Sequence, residues 1–280
     1  MEQSPTQSLI TDHDSQIIRL IPRRFGETER RDWWWIEAML VVVVFGGFIV
    51  YTTWAGIQNE HYTFGPYLSP FYSPELYGAS PHAWFGGPQP PWWPAFLPYS
   101  PAFLILAFPA LFRFTCYYYR GAYYKAFWAD PVSCAVGEPR GTSYWGERWF
   151  PLVLQNVHRY FAYAALIITA ILAYDVYLAT RWPAEGGGTR FGIGVGTLVM
   201  FVNVALIAGY TLGCHSLRHL FGGRHDEVSK APVSQACYNC SSALNRRHMP
   251  FAWFSLFSVG LTDLYIRLCS MGVITDYRIL

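Results

Sequence analysis

The 280-residue sequence is short of charge. Asp, Glu, Lys and Arg make up 14% of it, against about 25% in soluble globular domains. That shortage, beside 52% hydrophobic residues, excludes an ordinary soluble enzyme. The net charge of only +2 gives no footing for a nucleic-acid partner. Residues 55–100 hold no Lys or Arg at all. The first 34 residues lack the basic stretch and apolar core of a cleavable secretory leader. Repeated halves and paired Gly/Pro-broken apolar segments are missing too, which argues against a transporter fold.

What is present is apolar and aromatic. Five runs are long enough to cross a hydrocarbon core of about 30 Å: Trp35 to Trp54, Ala102 to Tyr118, Trp149 to Ala179, Phe191 to Leu212 and Phe251 to Cys269. The first is bounded by Trp at both ends, as interfacial anchors are. The expected fold is an all-α membrane protein, a five-transmembrane-helix bundle over 35–280 behind a cytoplasmic tail, 1–34. Lys and Arg set its orientation. Fourteen fall in the tail and in the loops after the second and fourth runs; three fall on the other side. The positive-inside rule then places the N-terminus in the cytoplasm and the C-terminus outside. The Pro- and aromatic-rich segment 55–100 is expected to form an irregular extracytoplasmic cap, because Pro blocks regular backbone pairing.

The residues able to do chemistry gather towards the basic side. "YTLGCHSLRHL" (210–220) ends the fourth run in Cys214, His215 and His219. His215 and His219 are one turn apart and share a helix face, so they can present two nitrogens to one metal, as a helical H-x-x-x-H does. Interfacial histidines meeting lipid headgroups are the plainer reading of such a pair. Cys116 lies near the end of the second run, Cys134 follows in the next loop, His158 lies a few turns into the third run, and His248 precedes the fifth. Cys237 and Cys240 form a lone C-x-x-C, half of a zinc or iron–sulfur signature. Thiols facing the cytoplasm more often serve metal or redox work than disulfides. Two Cys with two His suit zinc or a Rieske-type 2Fe–2S centre; spacing does not choose. Charged groups inside the runs usually face the bundle interior, paired or functional. Asp263 and Arg267, at i, i+4, can neutralise one another; Arg113, one turn from Cys116, and Arg159, beside His158, could tune a redox centre or bind a quinone carbonyl.

"FRFTCYYYRGAYYKAFW", "LQNVHRYF", "YTLGCHSLRH", "NRRHMPFAWFSLFSVGLTDLYIRL" and "GVITD", in that order, resemble the five-helix membrane-anchor subunit of actinobacterial succinate dehydrogenase, the mycobacterial type-one complex in particular. The resemblance covers roughly residues 100–280. It implies a multi-pass subunit of the plasma membrane that docks a flavoprotein subunit and an iron–sulfur subunit. Through it electrons pass to menaquinone, with succinate oxidation left to the partner flavin. It further implies a membrane-embedded Rieske-type 2Fe–2S cluster, with Cys116 and Cys134 on one iron and His215 and His219 on the other. His158, Cys214, His248 and the 237/240 pair stand in reserve. His158 and Arg113 are expected at the quinone. Two other readings use the same residues: a haem b anchor of a succinate dehydrogenase or fumarate reductase, with His158 and His215 as axial ligands, and a zinc-stabilised anchor without redox activity.

Overall fold

The structure is a computed structural model, and it describes residues 24–129, 131–138, 148–150, 152–184, 186–223, 225–227 and 230–280. The expected basic residues Arg19, Arg23, Arg140 and Arg224, together with His13, lie outside them. The chain is mostly helical and divides into two compact units: Met1–Gly47 with Tyr117–Leu152, and Phe48–Cys116 with Val153–Leu280.

In the first unit, the beginning of α1 (Ile36–Gln58) precedes α4 (Tyr117–Phe127). Phe45 of α1 stacks on Tyr119 of α4, with ring centres 5.7 Å apart. The segment before α1 is stitched to the loop at 133–137. Gly26 N–H donates to Gly137 O and Gly137 N–H to Glu27 O, while Arg30, ion-paired with Asp32, also reaches Ser133.

The second unit holds most of the apolar helices. After the end of α1 come a two-residue hairpin (β1 Thr63–Phe64, β2 Tyr67–Leu68), a helical turn α2 (Ala102–Ile105) and α3 (Ala107–Phe114). A 3₁₀ turn over Leu152–Val157 leads into α5 (His158–Leu178). A second hairpin (β3 Arg181–Pro183, β4 Thr189–Phe191) precedes α6 (Val195–Leu212), α7 (His215–Gly222), α8 (Pro232–Asn245) and α9 (His248–Ser270). Helix α6 packs between α5 and α9, and α3 lies on α5. Gly209 of α6 makes the α6–α9 approach possible, since a Cβ there would stand 2.4 Å from the Phe251 ring.

Among the described residues, four helices are long and apolar enough to cross a bilayer: Ile36–Gln58, Val153–Leu178, Val195–Leu212 and His248–Ser270. Their outward residues are apolar as well, with Leu40, Val43, Val50, Ile167, Phe201, Val202, Phe254 and Leu261 all exposed. That pattern marks helices solvated by lipid. A fifth span exists only if Ala102–Phe114 and Tyr117–Phe127 are taken as one broken span. The uninterrupted Ala102–Tyr118 helix expected from the sequence is therefore not formed. At its break, Thr115 turns its hydroxyl back onto Leu111 O at 2.7 Å, a bond that competes with the helix ladder and bends it. The fourth run likewise starts later than Phe191, at Val195, because Phe191 belongs to β4.

The cap is irregular, as its prolines require, and its packing is aromatic: Tyr62 stacks on Tyr72 with centres 4.1 Å apart, and Tyr67 meets Trp182 edge-on. Hydroxyl–carboxylate bonds reinforce it. Tyr62 donates to the buried Glu75 at 2.9 Å, Ser73 to Asp175, Ser69 and Tyr51 to Asp263, and Tyr67 and Tyr265 to Asp276. The Asp263–Arg267 pair forms as expected, at 2.8 Å and fully buried. Arg267 further donates to Gln58 Oε1 and to the carbonyls of Glu60 and Ala55.

Candidate metal and quinone site

At the other end of the second unit, where α3 and α6 stop and α5 and α9 start, four soft donors converge from four segments. Cys116, at the helix break, places Sγ 3.6 Å from His248 Nε2. His158, the first residue of α5, places Nε2 3.1 Å from Cys214 Sγ. Both thiols are buried, with Cys116 3% and Cys214 1% exposed. Burial pushes the Cys214 thiol up, and the Cys116 sulfur adds to the effect.

The surroundings fix these rings. Phe112 stacks face to face on His158 (5.0 Å, 8°), Tyr210 stacks on His248 (4.8 Å, 22°), and Phe112 meets Tyr210 edge-on at 5.3 Å. Thr115 Oγ1 lies 2.7 Å from Leu111 O and 2.8 Å from His158 Nδ1, so it anchors one ring nitrogen while Nε2 faces Cys214. A ligating imidazole is oriented by its outer-shell partner in the same way. His248 Nδ1 is buried and has no hydrogen-bond partner among the described residues.

Arg113, one turn before the break, donates to Ala252 O (3.1 Å) and Ser255 Oγ (2.9 Å), and its guanidinium lies over the Tyr210 ring. It thus braces the first turns of α9, which carry His248. Arg113 also lines an apolar cavity of about 130 Å³ that runs along α3 past Leu106, Pro109 and Ala110 and is walled by Phe71, Leu172, Tyr210 and Val259. A dry cavity of about this size holds a single aromatic ring. Thr52 lines it too, and its buried hydroxyl has no partner among the described residues.

The expected ligands are distributed differently. Cys116 sits in the converging cluster. Cys134 belongs to the other compact unit and is exposed, its carbonyl accepting from Arg30 at 2.9 Å. His215 and His219 do meet, Nε2 to Nε2 at 3.0 Å, but as an exposed pair. The fourth run ends at Leu212, and Gly213 and Cys214 separate it from α7. Cys214 therefore faces inward as the N-cap of α7, while His215, one residue on, turns out. His158, expected at the quinone, lies with the thiols and does not line the cavity. Cys237 and Cys240 sit on α8, Cys240 exposed, and neither is in a disulfide.

The donor set has consequences for what it could hold. Among the described residues, no three His, Cys, Asp or Glu side chains gather round a single-ion position. The arrangement is two thiol–imidazole pairs. A mononuclear zinc needs three or four donors on one point, whereas a 2Fe–2S cluster distributes two thiolates and two imidazoles over two irons. An axial haem pair of His158 and His215 fits poorly, because their Nε2 atoms face Cys214 and His219 respectively.

Comparison with known proteins agrees with this membrane-subunit character. The family model described as actinobacterial succinate dehydrogenase subunit SdhC matches residues 36–272. Among solved structures, a chain of the Mycobacterium smegmatis Sdh1 complex in the apo form is similar over 93% of this chain and 96% of its own. It shares 42% identity, with a TM-score of 0.80. No curated protein matches the chain.

Proposed function

The chain belongs to the actinobacterial succinate dehydrogenase SdhC family, and from that premise we propose that it relays electrons from the complex's iron–sulfur subunit to a quinone, menaquinone by the resemblance. The observation that carries the reading is the convergence of Cys116, Cys214, His158 and His248 at one end of the helices. These four, two thiols and two imidazoles, would hold a Rieske-type 2Fe–2S cluster. Such a group supplies one-electron transfer at a potential raised by neutral imidazole ligation.

The chain's own residues do the rest. Thr115 anchors the His158 ring through Nδ1 and keeps Nε2 turned to Cys214. Phe112 and Tyr210 clamp the two imidazoles and keep water from them. Arg113 braces α9 and, at the cavity wall, offers a cation to a quinone oxygen, while the apolar cavity has room for one ring of the quinone head. The Lys/Arg bias supports a cytoplasmic cluster end: Arg218, Lys230, Arg246 and Arg247 all lie between α6 and α9, against Arg181, Arg190 and Arg278 beyond the cap. The flavoprotein and iron–sulfur subunits would then dock on that face of a plasma-membrane protein.

Low-temperature EPR of the purified, dithionite-reduced complex tests the reading. A Rieske-type signal is expected that disappears in Cys116→Ser, Cys214→Ser, His158→Ala and His248→Ala, with no b-type haem bands in the visible spectrum. Haem bands without that signal would overturn it in favour of axial histidines. Zinc in place of iron would do so in favour of a non-redox anchor.

A further inference from the structure

One buried acid stands apart from the others at the cap end. Asp175 lies inside the span Val153–Leu178 and is 6% exposed. Among the described residues its carboxylate takes only the hydroxyl of Ser73, itself buried. The charged groups of the neighbouring elements are committed elsewhere. Arg267 of α9 holds Asp263, Arg181 turns to Tyr177 Oη, and Arg278 lies over the Trp182 ring, while Arg190 is exposed on β4. Glu75 of the cap takes Tyr62 and Ser80, and Asp276 takes Tyr67 and Tyr265. A carboxylate in an apolar span without a counter-ion is costly as an anion, and acids so placed mark proton relays.

Asp175 also continues the helix face that walls the cavity. Ala165, Ile168, Thr169 and Leu172 line it from α5, and 175 is the next position on that face. Helical Cβ atoms tilt towards the N-terminus, which for α5 is the His158 end, so the Asp175 side chain leans back towards Leu172. Ser73 follows Phe71, another wall residue, by two positions. We infer that Asp175, held by Ser73, is the acid that delivers one of the two protons of quinone reduction, to the ring oxygen at the cap end of the cavity. The inference rests on the proposed function in taking the cavity as the quinone site. Two electrons and two protons turn a quinone into a quinol. In this step the O–H bond of the Asp175 acid breaks, and an O–H bond forms on the quinone oxygen that the electrons have made basic. The carboxylate left behind keeps the Ser73 bond and regains its proton from water on the cap side.

The test follows succinate oxidation by the whole purified complex, first with a short-chain menaquinone, then with a soluble dye that takes electrons before the cavity. In wild type the ratio of quinone kcat to dye kcat is expected to fall at high pH, where the acid form is lost, and to drop in heavy water. Asp175→Asn, which keeps a carbonyl for Ser73, should lower kcat with quinone about a hundredfold. Its KM and dye rate should be unchanged, and the high-pH fall should vanish. With succinate and quinone both present, its cluster should stay more reduced by EPR, because electrons arrive and do not leave. Asp175→Glu retains an acid and should retain the fall. A purely structural Asp175 would lower the unfolding temperature and spare both kcat and the pH profile. That result, or a wild-type ratio flat in pH, would overturn the inference while quinone reduction stands. A complex that reduces no quinone would overturn the proposed function as well.

Discussion

The two ends of the helical unit bury polar groups in opposite ways. At the cap end, Glu75, Asp175, Asp263 and Asp276 each accept from Ser or Tyr hydroxyls, and Arg267 adds the one guanidinium that neutralises Asp263. Hydroxyl donors thus reach all four carboxylates, although Trp182 Nε1 and Arg181 Nε on β3 are buried without a partner among the described residues. At the cluster end the buried groups face one another as sulfur and imidazole, which hydrogen-bond weakly, and His248 Nδ1 has no partner among the described residues. Buried polar groups are paired in native proteins. A donor set that pairs poorly with itself is therefore better accounted for by chemistry than by stability. The cap holds the fold; the proposed cluster chemistry falls to the other end.

Breaking each end should break a different property. Asp263→Asn keeps one carbonyl oxygen, enough for Ser69 or Tyr51 but not for both, since they bond Oδ1 and Oδ2 respectively, and it strands the buried Arg267 charge. Removing one partner of a buried pair costs about 3–5 kcal/mol, so thermal unfolding in detergent should show the largest loss of any cap substitution. The 2Fe–2S EPR signal of the protein that remains folded should be unchanged. Cys214→Ser is the converse: it should abolish the signal and quinone reduction while the cap unfolds at its usual temperature. Equal loss of both properties in both variants would erase the distinction between the ends.

A smaller effect is expected between the ends. Gly209→Ala puts a Cβ 2.4 Å from the Phe251 ring, and overpacking of this kind costs about 1–3 kcal/mol. Phe251 lies one turn after His248, so the shift should reach the cluster as well. The prediction is a broadened or shifted EPR line together with a lowered unfolding temperature, a combination no cap variant should give.

Much of this was legible in the sequence, and the limits have physical causes. The spans follow from apolar length, and the Asp263–Arg267 and His215–His219 pairs follow from i, i+4 spacing, which is local. The cluster is not local. Cys116 and His248 are 132 residues apart, and nothing in spacing brings them together. Cys214 and His215 are neighbours in sequence yet part company, because the helix breaks at Gly213. The break at Thr115 is equally silent, since a back-bonded hydroxyl leaves hydropathy unchanged. One signal was available: Cys116, Cys214 and His248 each fall within a few residues of the end of an apolar run and His158 a few turns into one, all towards the basic side. The cap's carboxylates left a fainter trace, as acidic residues in or beside apolar segments.

The smallest predicted effect sharpens the comparison most, because it concerns a polar group that belongs to neither end. Thr52 Oγ1 is buried on the cavity wall and unpartnered among the described residues. If it were structural, replacing it with an isostere would cost a bond. As it makes none, Thr52→Val removes only a desolvation penalty, and such a swap is close to neutral or slightly stabilising. The unfolding temperature should stay level or rise by a degree or two, in contrast to Ser73→Ala, which strips Asp175 of its hydroxyl and should lower it, at a cost of about 1–3 kcal/mol. The KM for quinone should rise in Thr52→Val with kcat unchanged, because a hydroxyl idle in the protein alone is free to donate to a ligand oxygen in the cavity. A drop in stability with unchanged KM would instead place Thr52 with the cap.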